Sequence, residues 1–210
     1  MRYEISKLEE QNTSYMCNED LVRLIVDKPA KEIMEASNYS LRNLNKMSIE
    51  DLTKVPGVGK IKAAQIIAAM ELGRRCYKEK AQEITNLGDA LSIYNYMKPN
   101  LDHLEHEEFW ILVMNNKFNL VKAKRMSSGG LTEVVADIRL IMKEVFLSNG
   151  TVLAMVHNHP SGSISPSKND KLITSQIKKA CEMMRIIFLD HVIVGCGADS
   201  YYSFQEDGNI

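Results

Sequence analysis

Two histidines, a proline and an aspartate lie close together in the segment MVHNHPSGSISPSKND, residues 155–170. His157 and His159 are one residue apart at the end of an apolar stretch, and side chains two apart on a strand point to the same side of a sheet. Pro160 ends the predicted strand, and Asp170 falls in the first turn of the next predicted helix. Two imidazoles and a carboxylate suit one Zn²⁺ ion with a bound water as the fourth ligand.

The same segment also has a purely structural interpretation. Ser167 and Asp170 have the spacing of a capping box, with Ser167 as the N-cap of the helix. A His-x-His pair on a strand can likewise be incidental. The joined pattern favours the metal site, and the two interpretations are compatible, because Ser167 can cap the helix and also face a metal-bound water. We therefore expect His157, His159 and Asp170 to bind zinc.

The elements that would position these residues follow from hydrophobic periodicity. The C-terminal half predicts, in order, a hairpin around Asn115–Lys117, an amphipathic helix, a buried strand, a helix, a second buried strand and an edge strand in the tail (108–126, 132–150, 151–159, 167–184, 185–195 and 200–208). The N-terminal half predicts short helices, then a clear helix, a polar and helix-permissive linker and another helix (19–53, 61–72, 77–83 and 88–98).

Mixed strands and helices after an all-helical start predict an α/β chain with an α+β mixed sheet preceded by a small all-α domain. The expected division is a helical domain at 1–80, a linker and connecting helix at 81–100 and a metal-binding domain at 101–210.

The composition argues against a strongly basic nucleic-acid-binding protein, a membrane or secreted protein and a disulfide-rich protein. The 210 residues carry a net charge of −1, which gives no global signature of nucleic-acid or acidic-lipid binding. The start has no apolar h-region and no apolar run approaches about 18 residues, so we expect no signal peptide or membrane span and a cytoplasmic location. Four cysteines far apart predict packed thiols rather than a disulfide framework or a thiolate zinc cage: Cys17, Cys76, Cys181 and Cys196.

The joined pattern His-x-His-Pro, six residues, Ser-x-x-Asp resembles the JAMM motif of the MPN+ metallopeptidases, which include deubiquitinating isopeptidases. With LDHVIVG at 189–195 and YSF…G at 202–208, the chain resembles the bacterial RadC family (UPF0758) from about residue 40 onward. The resemblance implies a cytidine-deaminase-like JAB/MPN domain for residues 101–210.

The resemblance also implies a zinc held by His157, His159 and Asp170, and an upstream glutamate that holds the catalytic water. HEEFWILVMN matches the family pattern at Glu107, with Glu108 as the alternative, because a one-residue slip reverses the strand face. Ser167 would donate to the oxyanion. The implied activity is zinc-dependent amide hydrolysis of a protein or peptide substrate.

The remaining histidines have less specific surroundings. His191 lies between Asp190 and a Val/Ile-rich strand, where a hydrogen-bonded strand histidine is favoured over a group that supports the metal ligands. His103 and His106 are expected at the surface.

A second motif, VPGVGKIKAAQI at 55–66, resembles a helix–hairpin–helix, whose Gly-x-Gly turn brings backbone N–H groups against a DNA phosphate. Gly57, Gly59, Lys60 and Lys62 are the candidate DNA-binding residues, and residues 51–80 carry seven Lys and Arg against three Asp and Glu. Binding through 51–75 would be sequence-independent and salt-sensitive. A helical hairpin used for packing or protein contact remains an equal alternative.

Three functions follow. The leading one is a zinc-dependent hydrolase of JAMM type, a peptidase or isopeptidase. The alternatives are a DNA-binding protein of DNA repair or recombination whose zinc domain is regulatory, and a zinc nuclease.

Overall fold

A computed structural model describes residues 13–129, 137–197 and 200–210 of the chain. The chain divides into two compact units, Met1–Tyr77 and Lys78–Ile210. None of the helices in the described ranges combines the length and the apolar character needed to cross a membrane.

The first unit is helical. After a 3-10 turn at Thr13–Tyr15, its helices are α1 (Asn18–Val26), α2 (Ala30–Ala36), α3 (Leu41–Lys46), α4 (Ile49–Thr53) and α5 (Lys60–Gln82), the last continuing past the unit boundary. The predicted linker at 77–83 is thus helical as far as Gln82. Pro29 occupies the N-cap position of α2, where its missing N–H costs no hydrogen bond, so it separates α1 from α2 as expected.

A tight hairpin joins α4 to α5. Ser48 starts α4 with a full capping box, and Val55 and Val58 bury their side chains in the helical core. Between them Gly57 has φ +82°, a left-handed conformation that costs a residue with a Cβ about 1–2 kcal/mol. The glycine at this position is therefore what allows the hairpin to turn.

The second unit is built on a mixed sheet. In the described residues its helices are α6 (Ala90–Leu101), α7 (Ile138–Leu147) and α8 (Lys168–Met183), and its strands are β1 (Glu108–Met114), β2 (Leu120–Ser128), β3 (Val152–Asn158), β4 (Ile187–Val194) and β5 (Tyr201–Ser203). The strand order is β2-β1-β3-β4-β5, with β3 and β4 parallel and the other neighbours antiparallel.

Both faces of this sheet are covered, which explains why every residue of β3 is buried. One face packs with α6 and includes Val152, Ala154 and Val156. The other face packs with α7 and α8 and includes Leu153 and Met155. His157 continues that second, odd-numbered row, so alternation directs it towards the α8 layer.

This architecture confirms the predicted fold class, a mixed α/β sheet domain after an all-α region. The hairpin around Asn115–Lys117 is present, and the tail supplies β5 at the sheet edge, although β5 is only three residues long. The helix predicted at 132–150 is described from Ile138 onward, and residues 130–136 lie outside the described residues.

Candidate metal centre

The end of β3 brings the two histidines to one place. His157 is the last but one residue of the strand, and the N–H of His159 still donates to the carbonyl of Val194 at 3.1 Å. The loop that follows packs tightly against the end of β4, since a Cβ on Gly195 would lie 2.6 Å from Ile164 Cγ2. Glycine at 195 thus lets the loop after the histidines fold back close to the sheet.

The amino end of α8 supplies the third group. Asp170 N–H donates to Ser167 Oγ at 3.1 Å, and Ser167 N–H donates to Asp170 Oδ2 at 2.7 Å. These two bonds form the predicted capping box, which the structure confirms. The box also fixes the rotamer of Asp170, whose Oδ1 lies 3.3 Å from His157 Nε2.

His157, His159 and Asp170 converge with spacings that fit a zinc ion. Their candidate ligand atoms all lie within 4.8 Å of one another. The two Nε2 atoms are 3.0 Å apart, and Asp170 oxygens lie 3.3 Å from His157 Nε2 and 3.7 Å from His159 Nε2. Ligands at ordinary zinc distances and tetrahedral angles are about 3.3 Å apart, so the donor set fits Zn²⁺ in both chemistry and spacing.

Burial and charge set the protonation of these groups. Burial lowers the pKa of His157 to about 4, which keeps its ring neutral at pH 7. The hydrogen bond to Asp170 raises the pKa of His159, and the charges of Asp170 and Glu107 add to the effect. Although burial acts to raise it, the pKa of Asp170 is held below its usual range by His159, His157 and Ser167. A neutral His157 and a charged Asp170 are the forms that bind a metal ion.

Each imidazole is also fixed by its other ring nitrogen. His159 Nδ1 lies 2.8 Å from the carbonyl oxygen of Ser163, and His157 Nδ1 lies 2.8 Å from His191 Nε2. His191 is therefore both a hydrogen-bonded strand histidine and a direct partner of His157, two roles that the sequence left as alternatives. Sequence reasoning missed Thr174, whose Oγ1 lies 2.6 Å from His191 Nδ1. Its position four residues after Asp170, on the same helix face, was the available signal.

The two candidate glutamates are adjacent at the start of β1, so strand alternation would direct them to opposite faces. Phe109 lies directly opposite His157 in the β1–β3 pairing, so these two side chains share a face. Glu107 precedes β1 and is two residues from Phe109, so alternation assigns it to the histidine face, whereas Glu108 belongs to the other face. The contribution of Glu107 to the raised pKa of His159, after the larger effect of Asp170, is consistent with this assignment.

Glu108 is already engaged in structural contacts. It is 4% exposed, and its carboxylate accepts from Arg125 Nη1 at 2.6 Å and from Trp110 Nε1 at 2.9 Å. Although burial opposes it, these two bonds and the charge of Arg125 lower the pKa of Glu108. Its partners therefore hold Glu108 as a charged link between β1 and β2.

In the described residues, the converging ligand atoms include neither the other histidines nor a cysteine, although the Cys196 thiol donates to the backbone carbonyls of His159 and Pro160. His106 is exposed and hydrogen-bonds to Ser128, while His103 is half-buried. Cys181 is buried and Cys196 half-buried, and all four cysteines are free thiols. The expectation of packed thiols was wrong for Cys17 and Cys76, which are exposed; Cys17 instead caps α1 by accepting from Asp20 N–H.

The hairpin residues predicted to contact DNA surround the amino end of α5. A Cβ on Gly59 would meet nothing within 4 Å, so the space over this part of the turn is open. Lys60 is exposed, whereas the Lys62 ammonium donates to the Gly57 carbonyl at 3.3 Å. Lys54, which the sequence also places beside the turn, forms an ion pair with Asp51 at 3.1 Å.

Comparison with known proteins gives two family matches. The family described as RadC-like JAB domain matches residues 87–209, and the helix-hairpin-helix motif matches residues 40–69. A UPF0758 protein of Flavobacterium johnsoniae is 42% identical over 176 residues, which cover 82% of this chain and 75% of the relative.

Two further UPF0758 proteins are similar over most of their length. The relative from Porphyromonas gingivalis is 34% identical over 180 residues, covering 85% of this chain and 79% of its own. The relative from Streptococcus suis is 30% identical over 212 residues, covering 97% of this chain and 85% of the relative. Because the RadC-like JAB match spans more than half of the residues and these relatives align along most of the chain, the protein belongs to the RadC (UPF0758) family.

Proposed function

We propose that the chain is a zinc-dependent hydrolase with a JAMM-type site that cuts amide bonds, of peptide or isopeptide type, in a protein or peptide substrate. The observation that carries the proposal is the convergence of His157, His159 and Asp170 at spacings that fit zinc. Membership in a family described as RadC-like JAB adds support. When bound, zinc supplies a Lewis acid that lowers the pKa of water and polarises a carbonyl oxygen.

Glu107 would move the proton in this reaction. It would accept a proton from the attacking water and pass it to the leaving nitrogen as the C–N bond breaks, while the water oxygen stays on the carbonyl carbon. Its assignment to the face of His157 and His159, and its electrostatic effect on His159, support this role.

Ser167 would stabilise the charge that develops on the substrate oxygen. Its hydroxyl lies at the amino end of α8, bonded to Asp170, and an O–H donor gains strength as the carbonyl oxygen becomes negative. The positive end of the helix dipole acts in the same direction.

Metal content and chelator sensitivity test the proposal together. Purified full-length chain should hold one zinc by mass spectrometry, and a His157→Ala/His159→Ala double variant should hold none. Release of new amino groups from a mixture of denatured proteins should stop with a chelator and return with added zinc. A zinc-free wild type, or hydrolysis that resists the chelator, would overturn the assignment.

A second function, DNA binding through the α4–α5 hairpin, rests on the helix-hairpin-helix match and on the open space over Gly59. Backbone N–H groups at the amino end of α5 would meet a phosphate, with Lys60 adding charge, and no base would be read. The logarithm of affinity of the full chain for random-sequence duplex should fall linearly with the logarithm of salt concentration. Affinity that is insensitive to salt would argue against this contact.

A further inference from the structure

A buried chain of hydrogen bonds connects two of the proposed zinc ligands by a route away from the metal position. It runs from His157 Nδ1 to His191 Nε2 at 2.8 Å, from His191 Nδ1 to Thr174 Oγ1 at 2.6 Å, and from Thr174 Oγ1 to the backbone carbonyl of Asp170 at 2.5 Å. His191 is 0% exposed and Thr174 is 1% exposed. Water therefore does not compete for these bonds.

The Asp170 carbonyl, at the end of this series of hydrogen bonds, determines which atom donates in every bond before it. A carbonyl oxygen only accepts, so the Thr174 hydroxyl must donate its single proton to Asp170. Thr174 Oγ1 must then accept from His191 Nδ1–H, which leaves His191 Nε2 as an acceptor. His157 must in turn donate from Nδ1, and its Nε2 is left with a lone pair.

That lone pair faces the other two ligands. His157 Nε2 lies 3.0 Å from His159 Nε2 and 3.3 Å from Asp170 Oδ1. His159 Nδ1 lies against a Ser163 carbonyl, which also only accepts, so the neutral ring of His159 likewise carries its proton on Nδ1. In their neutral forms both imidazoles are thus held in the tautomer that presents Nε2 to a metal ion.

We infer that Thr174 and His191 are positioning residues that fix the His157 tautomer and ring orientation for metal binding. The inference rests on the proposed zinc site and concerns its affinity rather than the reaction. Removing such a partner of a ligating histidine typically costs 10–100-fold in metal affinity. Here the partner of His157 is itself a histidine, which could donate or accept. The hydrogen bond from His191 to Thr174 therefore decides which nitrogen of His191 carries the proton.

Packing holds His191 in the orientation that this order requires. Its ring stacks on Phe204 with centroids 5.0 Å apart and planes 8° from parallel, and Phe109 meets it edge-on at 5.8 Å. The His191 carbonyl also accepts from Phe204 N–H at 3.1 Å. The ring is therefore enclosed, and a change in its tautomer would leave a buried donor or acceptor unpaired.

A matched pair of variants tests the inference. Thr174→Val keeps the shape of the side chain and removes the hydroxyl, whereas Thr174→Ser keeps the hydroxyl and removes a methyl group. Zinc affinity, measured on the full chain by competition with a coloured chelator, should fall about 10–100-fold in the first and less than about 3-fold in the second. Nitrogen NMR of the wild-type imidazoles should find the proton of His157 and that of His191 on Nδ1.

The outcomes separate this inference from the proposed reaction. A folded Thr174→Val protein with wild-type zinc affinity, or a His191 proton on Nε2 in the wild type, would overturn the inference and leave the hydrolase proposal intact. If Thr174→Val and Thr174→Ser change zinc affinity as expected but the wild-type protein cleaves no amide bond, only the hydrolase proposal would be overturned. Because the NMR measurement uses the wild type, the inference stays testable even when Thr174→Val fails to fold.

Discussion

The amino ends of two helices carry the two proposed sites, one in each unit, and the two ends are built differently. At α8, Ser167 and Asp170 bond to each other and two histidines converge on the same carboxylate, so the site consists of side chains. At α5, a left-handed Gly57 and an open Gly59 expose the turn, so the site would consist of backbone.

This difference explains why one site is so much easier to recognise than the other. Side-chain chemistry demands particular residue types at particular positions, and these remain visible in the sequence as HNHP and SKND. Backbone chemistry demands only a conformation and free space, which glycine provides in many structural turns as well. Substitutions at the α8 site should therefore change metal binding and hydrolysis. Substitutions at the α5 site should change how closely a DNA phosphate can approach the backbone.

The largest expected effect comes from Asp170→Asn. The amide keeps the shape of the side chain and can still accept from Ser167 N–H, but it removes the charge that a zinc ion requires. Zinc affinity should fall more than about 100-fold, and hydrolysis should be lost with it. Ser167→Ala is the matched control, which loses the cap at a cost of about 1 kcal/mol but keeps zinc. Equal zinc affinity in Asp170→Asn and wild type would contradict the ligand assignment.

Glu107→Gln should affect the reaction without affecting the metal. An amide cannot take up the proton of the attacking water, so turnover should fall about 10²–10⁴-fold. Zinc content and thermal stability should match the wild type, because the described contacts of Glu107 involve its backbone and its charge rather than the core. Unchanged turnover in a zinc-loaded variant would remove Glu107 from the site.

Gly59→Ala should weaken DNA binding while leaving the fold intact. The added methyl group meets nothing within 4 Å, so stability should hold, but it would keep a phosphate from the turn and reduce affinity about 10-fold. Gly57→Ala should instead destabilise the fold. Because Gly57 has φ +82°, an alanine there should reduce the unfolding free energy by about 1–2 kcal/mol. Fluorescence anisotropy with labelled duplex and chemical denaturation measure the two quantities. Unchanged affinity in Gly59→Ala would favour a hairpin used for packing.

Glu108→Gln should give the smallest effect, on stability alone. Loss of the charged bonds to Arg125 and Trp110 should reduce the unfolding free energy by about 1 kcal/mol at pH 7, with turnover retained. Because the pKa of Glu108 is lowered by folding, its contribution is present above about pH 4.3 and is lost as pH falls through the folded value. The stability difference between the two proteins should therefore shrink as the pH falls below about 4.3, and a difference that stays constant down to pH 2 would contradict this account.

The convergence of His157, His159 and Asp170 at the candidate metal centre was predictable because residues 155–170 form one strand, one turn and one helix start. Periodicity, proline and the capping pattern each constrain that segment without reference to the rest of the chain. The choice between Glu107 and Glu108 was not local. It depends on the strand register, and the pairing of Phe109 with His157, which favours Glu107, joins residues almost fifty positions apart in the sequence.

The contact between His157 and His191 could not be predicted from the sequence for the same physical reason. It depends on the parallel pairing of β3 with β4, and His191 is 34 residues from its partner. The residues at 77–82 illustrate a different limit. Their polar, helix-permissive composition allows either a linker or a helix, and α5 extends through them to Gln82.

The stacking of Phe204 on His191 has a consequence for the order in which the protein acquires its site. The proposed ligands have all been synthesised once residue 170 is made, yet the ring that encloses their buried partner comes 34 residues later. During synthesis, then, the nascent chain should pass through a stage with its three ligands present and His191 uncovered. Tight zinc capture is expected only after residue 204 has left the ribosome and β5 has joined the sheet.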